Sequence, residues 1–175
     1  MRKPNDFYPT PAWMVEHLLK NEFIEGNVLE PCTGKNDITN ALISSLAIKT
    51  IVTNDIDKNC LTDHHFDARN KDIFVPNRFD WIITNPPFSS AFEILTQAYI
   101  YCKIGCAFLL RLTFLEPTYQ RGNWLQKYSP TAIIVLPRYS FTRNGSTDSV
   151  TCAWFIWNKT EEQQKIIVVP KKEKT

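Results

Sequence analysis

At 175 residues, 43% of them hydrophobic and 22% charged, the chain has apolar material for one core and too little for a second, so a single domain over 1–175 is expected. The polar, proline-rich start MRKPNDFYPTP lacks the apolar stretch of a signal peptide, and no later run is long enough to span a bilayer; the expectation is a cytoplasmic protein with no membrane partner. The net charge of +2 hides an asymmetry: residues 1–88 carry nine Lys/Arg against twelve Asp/Glu, whereas 89–175 carry eleven against six, so the second half suits a polyanion. A basic tail over 170–175, with Lys171, Lys172 and Lys174, supplies part of that excess. Five cysteines (32, 60, 102, 106, 152) form no C-x-x-C pair and no zinc-type spacing, which favours free buried thiols. Cys60, His64 and His65 come from one segment, and no metal site is expected.

In chain order, Thr10 as N-cap and Pro11 at the first helical position open a helix with an apolar stripe of Trp13, Met14, Val15, Leu18 and Leu19. A strand over Asn27–Glu30 leads through a turn at Gly34 to a helix from about Asp37 to Ala47, with Ile38, Leu42 and Leu46 on one face. A strand over Thr50–Asn54 ends at Asp55, and a short third element is expected near His65–Asp67. The strand Asp80–Thr84 runs into Asn85-Pro-Pro-Phe88, and Ser90 with Glu93 reads as a capping box starting a helix to Tyr101. Strands at Ala107–Leu112, Ala132–Leu136 and Cys152–Trp157 bring the sheet to about seven. Short β-branched runs alternating with amphipathic stretches predict an α/β fold with a mostly parallel sheet.

In such a sheet, ligands bind beyond the carboxyl ends of the strands. Glu30, Asp55, Asp67 and Asn85 close the first four predicted strands in succession. Gly34 can take positive φ and let backbone approach a ligand. Gly34-Lys35 is not a phosphate-binding P-loop, because Leu29 and Asn36 stand where that motif needs Gly and Ser/Thr. Asp55, about twenty residues past the turn, is placed to accept from both hydroxyls of a ribose.

Asp80-Trp-Ile-Ile-Thr-Asn-Pro-Pro-Phe88, an apolar strand running into Asn-Pro-Pro-Phe, resembles the catalytic motif of class I S-adenosylmethionine-dependent amino-methyltransferases, above all the DNA N6-adenine enzymes. The likeness continues in order. Phe7-Tyr8-Pro9-Thr10-Pro11 resembles the family's N-terminal cofactor motif and Val28-Leu-Glu30-Pro-Cys32-Thr-Gly34 its first-strand turn. Asn54-Asp55-Ile56-Asp57 resembles its ribose-binding acid, and Phe66-Asp67-Ala68 its adenine-contacting acid. The resemblance implies a Rossmann-like fold with helices on both faces and S-adenosylmethionine as cofactor. Two departures stand out: Asn36 occupies the place of a second glycine, and no stretch of these residues is long enough for a target-recognition region, so any specificity is expected from loops or a separate recognition subunit. Asn is the non-glycine residue that best tolerates left-handed geometry, which would preserve the turn.

The chemistry accounts for these residue types. An aromatic amine is a poor nucleophile until acceptors hold its two N–H groups; Asn85 offers a side-chain carbonyl and Pro86 a backbone one, while Pro86 and Pro87 add no competing donors. Phe88 would stack on a base flipped out of a duplex. Over 136–146, aromatics alternate with arginines. There the resemblance gives Phe141 the opposite face of the base, a packed hairpin ring being the alternative. Arg111, Arg121, Arg138 and Arg143 are candidate nucleic-acid contacts, and a solvated surface is the alternative for each. An RNA base, a protein glutamine amide, or a non-catalytic scaffold using the same fold remain open alternatives.

Overall fold

The computed structural model describes residues 9–139 and 151–171. Within these residues seven strands form one sheet: β1 (Gly26–Glu30), β2 (Ile48–Thr53), β3 (Trp81–Thr84), β4 (Gly105–Arg111), β5 (Ala132–Val135), β6 (Cys152–Asn158) and β7 (Lys165–Val168). Their order is β2-β1-β3-β4-β6-β5-β7. Only β6 runs against its neighbours β4 and β5; the other pairings are parallel. Among the described residues four α-helices accompany the sheet: α1 (Ala12–Asn21), α2 (Asp37–Leu42), α3 (Ala91–Tyr101) and α4 (Tyr119–Lys127).

The period-two alternation of the strands divides the core. Trp81, Ile83, Ala107, Leu109, Trp154 and Ile156 point to one face, where Met14, Val15 and Leu18 of α1 and Ile38 and Leu42 of α2 cover them. Ile82, Cys106, Phe108, Leu110, Phe155 and Trp157 point to the other, beneath Ala91, Ile94, Leu95 and Ala98 of α3. Because β3, β4 and β6 are covered on both sides, their sequences are nearly continuous apolar runs. Trp154 also donates its indole N–H to the carbonyl of Met14 at 2.7 Å, which fixes α1 along the sheet.

Several elements differ from the sequence-based expectation. The helix at α1 has Pro11 as its N-cap, and Thr10 is drawn away to other partners. α2 stops at Leu42: Ser44 donates to the Ala41 carbonyl and Ser45 N–H to that of Leu42, and Leu46 points into solvent. The third predicted strand is reduced to one bridge between Asn54 and His64, because Asp63 takes both the N–H and the hydroxyl of Thr53 (2.8 Å each). The seventh strand is instead β7. The capping box does not form, since Ser90, at ψ 4°, is not in the extended conformation that aims a cap hydroxyl into the first turn. Among the described residues no helix is long and apolar enough to cross a membrane.

Trp154→Phe removes the buried indole donor while keeping most of the apolar volume. The expected result in urea denaturation is a loss of about 1–2 kcal/mol.

Candidate active site

The chain passes from β1 outward to β2 and then returns to the opposite side of β1 as β3. Strand order therefore reverses between β1 and β3, and the crevice beyond their carboxyl ends is the switch point where an open α/β sheet takes a ligand. The turn after β1 and the Asn85-Pro86-Pro87-Phe88 loop after β3 form its two sides.

The β1 turn is held by its own backbone and by acids around it. Gly34 adopts φ 54° and Asn36 φ 62°, both left-handed, so the asparagine takes the conformation expected of it. Thr33 donates its hydroxyl to Asn36 Oδ1 (2.8 Å), and Asn36 Nδ2 donates to the Leu61 carbonyl (2.8 Å). Asp55, just past β2, accepts the Gly34 N–H on Oδ2 (2.8 Å) and the Asp57 N–H on Oδ1 (2.9 Å). Beside it, Ile56 is 54% exposed. The Cys32 thiol is pushed up by burial and then by the negative charge of Asp55, Glu30 and Asp67, three acids that surround this turn.

Glu30 faces inward. It is 1% exposed, and its Oε2 accepts the Thr39 N–H at 3.0 Å as well as the Thr39 hydroxyl. Burial pushes its carboxyl up to about 8 against the pull of Thr39 and Thr33, so at neutral pH it is a protonated brace between β1 and α2. In this position its hydrogen bonds run inward to α2.

Asn54 is the residue that sequence reasoning passed over. Fully buried, it donates Nδ2 to the carbonyls of Pro31 (2.9 Å) and Phe66 (3.0 Å) and accepts the Phe66 N–H on Oδ1 (2.8 Å). Its backbone exchanges two more bonds with Thr33 and Glu30 (2.9 Å each). One amide thus joins the β1 turn, the end of β2 and the loop carrying Asp67. The available signal was a polar amide ending an apolar strand, just before the acid that drew attention.

Asp67 engages Arg69 through both carboxylate oxygens, at 2.6–3.0 Å, and those hydrogen bonds hold its carboxyl below the usual range. With Asn70 the pair borders an open hollow of about 420 Å3 against Glu93, Thr96 and Gln97 of α3. Ala68 is buried.

Across the crevice, Asn85 is half-buried and donates Nδ2 to the Thr10 hydroxyl at 3.0 Å. Thr10 in turn donates its N–H to Asp37 Oδ2 (3.1 Å), so the segment entering α1 at Thr10-Pro11 ties the β3 loop to the start of α2. Pro86 is buried. Phe88 packs its ring on the first core face, and the Arg111 guanidinium at the end of β4 lies 4.5 Å from its centroid. Arg138 is exposed. Arg121 lies 5.1 Å from the Phe114 ring and donates to the Glu116 carbonyl, so its guanidinium serves its own loop. Tyr8, Phe141 and Arg143 lie outside the described residues.

No family model matches the sequence, and no curated protein sequence does. Solved structures do match in fold. One from Listeria monocytogenes, assigned as a class I S-adenosylmethionine-dependent methyltransferase, superposes with a TM-score of 0.65 at 14% identity over 90% of this chain. This chain spans 62% of that protein's length. A structure from Pyrococcus horikoshii assigned as an RNA methyltransferase gives 0.64 at 17% identity, covering 90% of both chains. The M protein of the type I restriction enzyme EcoKI gives 0.63 at 14% identity, over 87% of this chain and 44% of its own. The chain has the Rossmann-like class I methyltransferase fold.

Two outcomes are expected. Asn54→Ala strands three backbone groups and destabilises the protein by about 3 kcal/mol in denaturant titration. For Glu30, the folded protein keeps a proton that an unfolded glutamate releases near 4.5, so its contribution to stability falls as pH rises from there to about 8. Unfolding free energies measured across that window should decline in the wild type and be flatter in Glu30→Gln.

Proposed function

We propose that the protein transfers a methyl group from S-adenosylmethionine to the exocyclic N6 amine of adenine in DNA. The observation carrying this reading is the orientation of Asn85 at the switch point. Its amide nitrogen is committed to Thr10, so Oδ1 is the acceptor end, set on a loop stiffened by Pro86 and Pro87.

The residues of the crevice fit the cofactor. The Gly34 turn lets backbone approach it, Asp55 accepts from the ribose hydroxyls, and exposed Ile56 covers the adenine ring with Asp67 and Ala68 at its edge. Bound there, the cofactor supplies a methyl group made electrophilic by its sulfonium. Asn85 Oδ1 and the Pro86 carbonyl accept the two N–H groups of the substrate amine, which withdraws the nitrogen lone pair from the ring and makes it available. Holding the amine in line supplies much of the rate, and its proton leaves after transfer. Phe88 stacks on the flipped base, with Arg111 giving up the ring face or staying as a cation–π layer behind it. The chain acts as one catalytic domain, with Arg111, Arg138 and the positions 141 and 143 contacting the nucleic acid and a separate subunit supplying sequence selection.

An RNA base is the second reading, favoured by the matching length of the Pyrococcus structure. Labelled cofactor offered with separate DNA, RNA and protein pools decides among them: label in DNA supports the proposal, label in RNA alone transfers it to the second reading, and label in protein alone removes both. Asp55→Ala is expected to weaken cofactor binding by at least roughly 100-fold in calorimetric titration, the loss of two charge-assisted hydrogen bonds. Asn85→Ala is expected to lower turnover by roughly 100- to 1000-fold and leave cofactor affinity within a few-fold. Equal cofactor affinity in Asp55→Ala and wild type would remove the ribose assignment.

A further inference from the structure

The two edges of the sheet are built differently. At β2 the edge carries Lys49 and Thr50 toward solvent, and the Asp63–His64 segment covers its far end through Thr53 and Asn54. Charge and a covering loop are the usual protections of an edge strand. At the opposite edge, β7 carries one charge, Lys165 at its start, whose ammonium turns to Glu22 and Glu161, and beyond it Ile166 and Val168 stand exposed.

The inner side of β7 pairs with β5: Lys165 N–H donates to the Thr131 carbonyl and Val169 N–H to that of Val135, both at 2.9 Å. Strand alternation therefore turns the N–H and C=O of Ile166 and Val168 outward, along the last strand of the sheet. Their side chains are 73% and 69% exposed. They lie in register with half-buried Ile133 and Val135, which extends the apolar patch across two strands of the same face. No bulge or charged residue interrupts Ile166–Val168, and the first proline is Pro170, beyond the strand.

We propose that β7 pairs antiparallel with β7 of a second copy about a two-fold axis, joining two seven-stranded sheets edge to edge. Setting Ile166 of each copy opposite Val168 of the other makes about four backbone hydrogen bonds and two Ile–Val contacts on one face. The flanking charges select both the partner and the direction. Glu161 and Glu162 precede β7 and Lys171 follows it, all exposed; Lys165, 3.8 Å from Glu161, offsets one of the two acids and leaves that end net negative through Glu162. Antiparallel self-pairing lays the acidic end of each copy beside the basic end of the other, and symmetry repeats the match. Parallel pairing would set acid against acid. A strand-edge contact buries less than a standard interface, so the dimer is salt-sensitive, with a dissociation constant on the order of micromolar.

Sedimentation velocity of the full chain over a concentration series at low salt tests this, without cofactor or nucleic acid. The expected result is a concentration-dependent shift to twice the monomer mass. Ile166→Lys combined with Val168→Lys should raise the dissociation constant by at least about tenfold while leaving the far-ultraviolet circular dichroism unchanged, because both side chains are exposed. Glu162→Lys should weaken the dimer, and adding Lys171→Glu should restore it. A wild type that stays monomeric throughout, whether or not another protein pairs with its edge, overturns the proposal. So does a dimer that survives the double lysine variant, or a charge reversal that restores nothing.

Discussion

The crevice depends on one buried amide. Asn54 closes β2 inside the protein and spends its side chain on the backbone of Pro31 and Phe66. Those bonds join the glycine turn to the loop carrying Asp67 from inside the protein, beside the Asn36–Leu61 and Gly34–Asp55 bonds at its surface, where the expected third strand has shrunk to one bridge. A low-dielectric setting makes such bonds strong when complete and costly when broken. Side-chain amide geometry thus does here what a further strand pairing would do in a wider sheet.

The same economy runs through the site. Polar side chains that could meet a ligand already have partners within the protein: Asp55 holds Gly34, Asp67 holds Arg69, Arg111 covers Phe88 and Asn85 holds Thr10. Ligand binding then becomes an exchange of partners around a formed crevice, so the ordering cost is low and the gain from each new bond is partly offset by the one given up. Glu30 differs, because burial keeps it protonated and its hydrogen bonds run inward to Thr39. Its work is to set where β1 ends relative to α2.

Much of this was legible in the residues. β3, β4 and β6 are covered on both faces and read as apolar runs, and the four polar residues proposed to close strands stand around the first turn or at the switch point. Elements that bury little were harder. α4 has no buried residue, so it presents no apolar stripe to find. Leu46 fits a helical period that Ser44 and Ser45 cut short, a competition between side-chain and backbone bonding that periodicity does not register. The count of seven strands holds because β7 replaces the element expected near residue 65. Glu30 was placed correctly at the end of its strand; which way its carboxyl points follows from packing, and a one-dimensional pattern does not contain that.

The central claim is that an amino group is held by two oxygens at the β3 loop while it takes up a methyl group. The most direct measurement is to incubate the protein with labelled S-adenosylmethionine and adenine-containing DNA, digest the product to nucleosides and locate the label by mass spectrometry. The expected result is label on the exocyclic nitrogen of deoxyadenosine. Label on a ring carbon or a sugar oxygen would contradict the account, because neither presents the pair of N–H groups that Asn85 and Pro86 are proposed to accept.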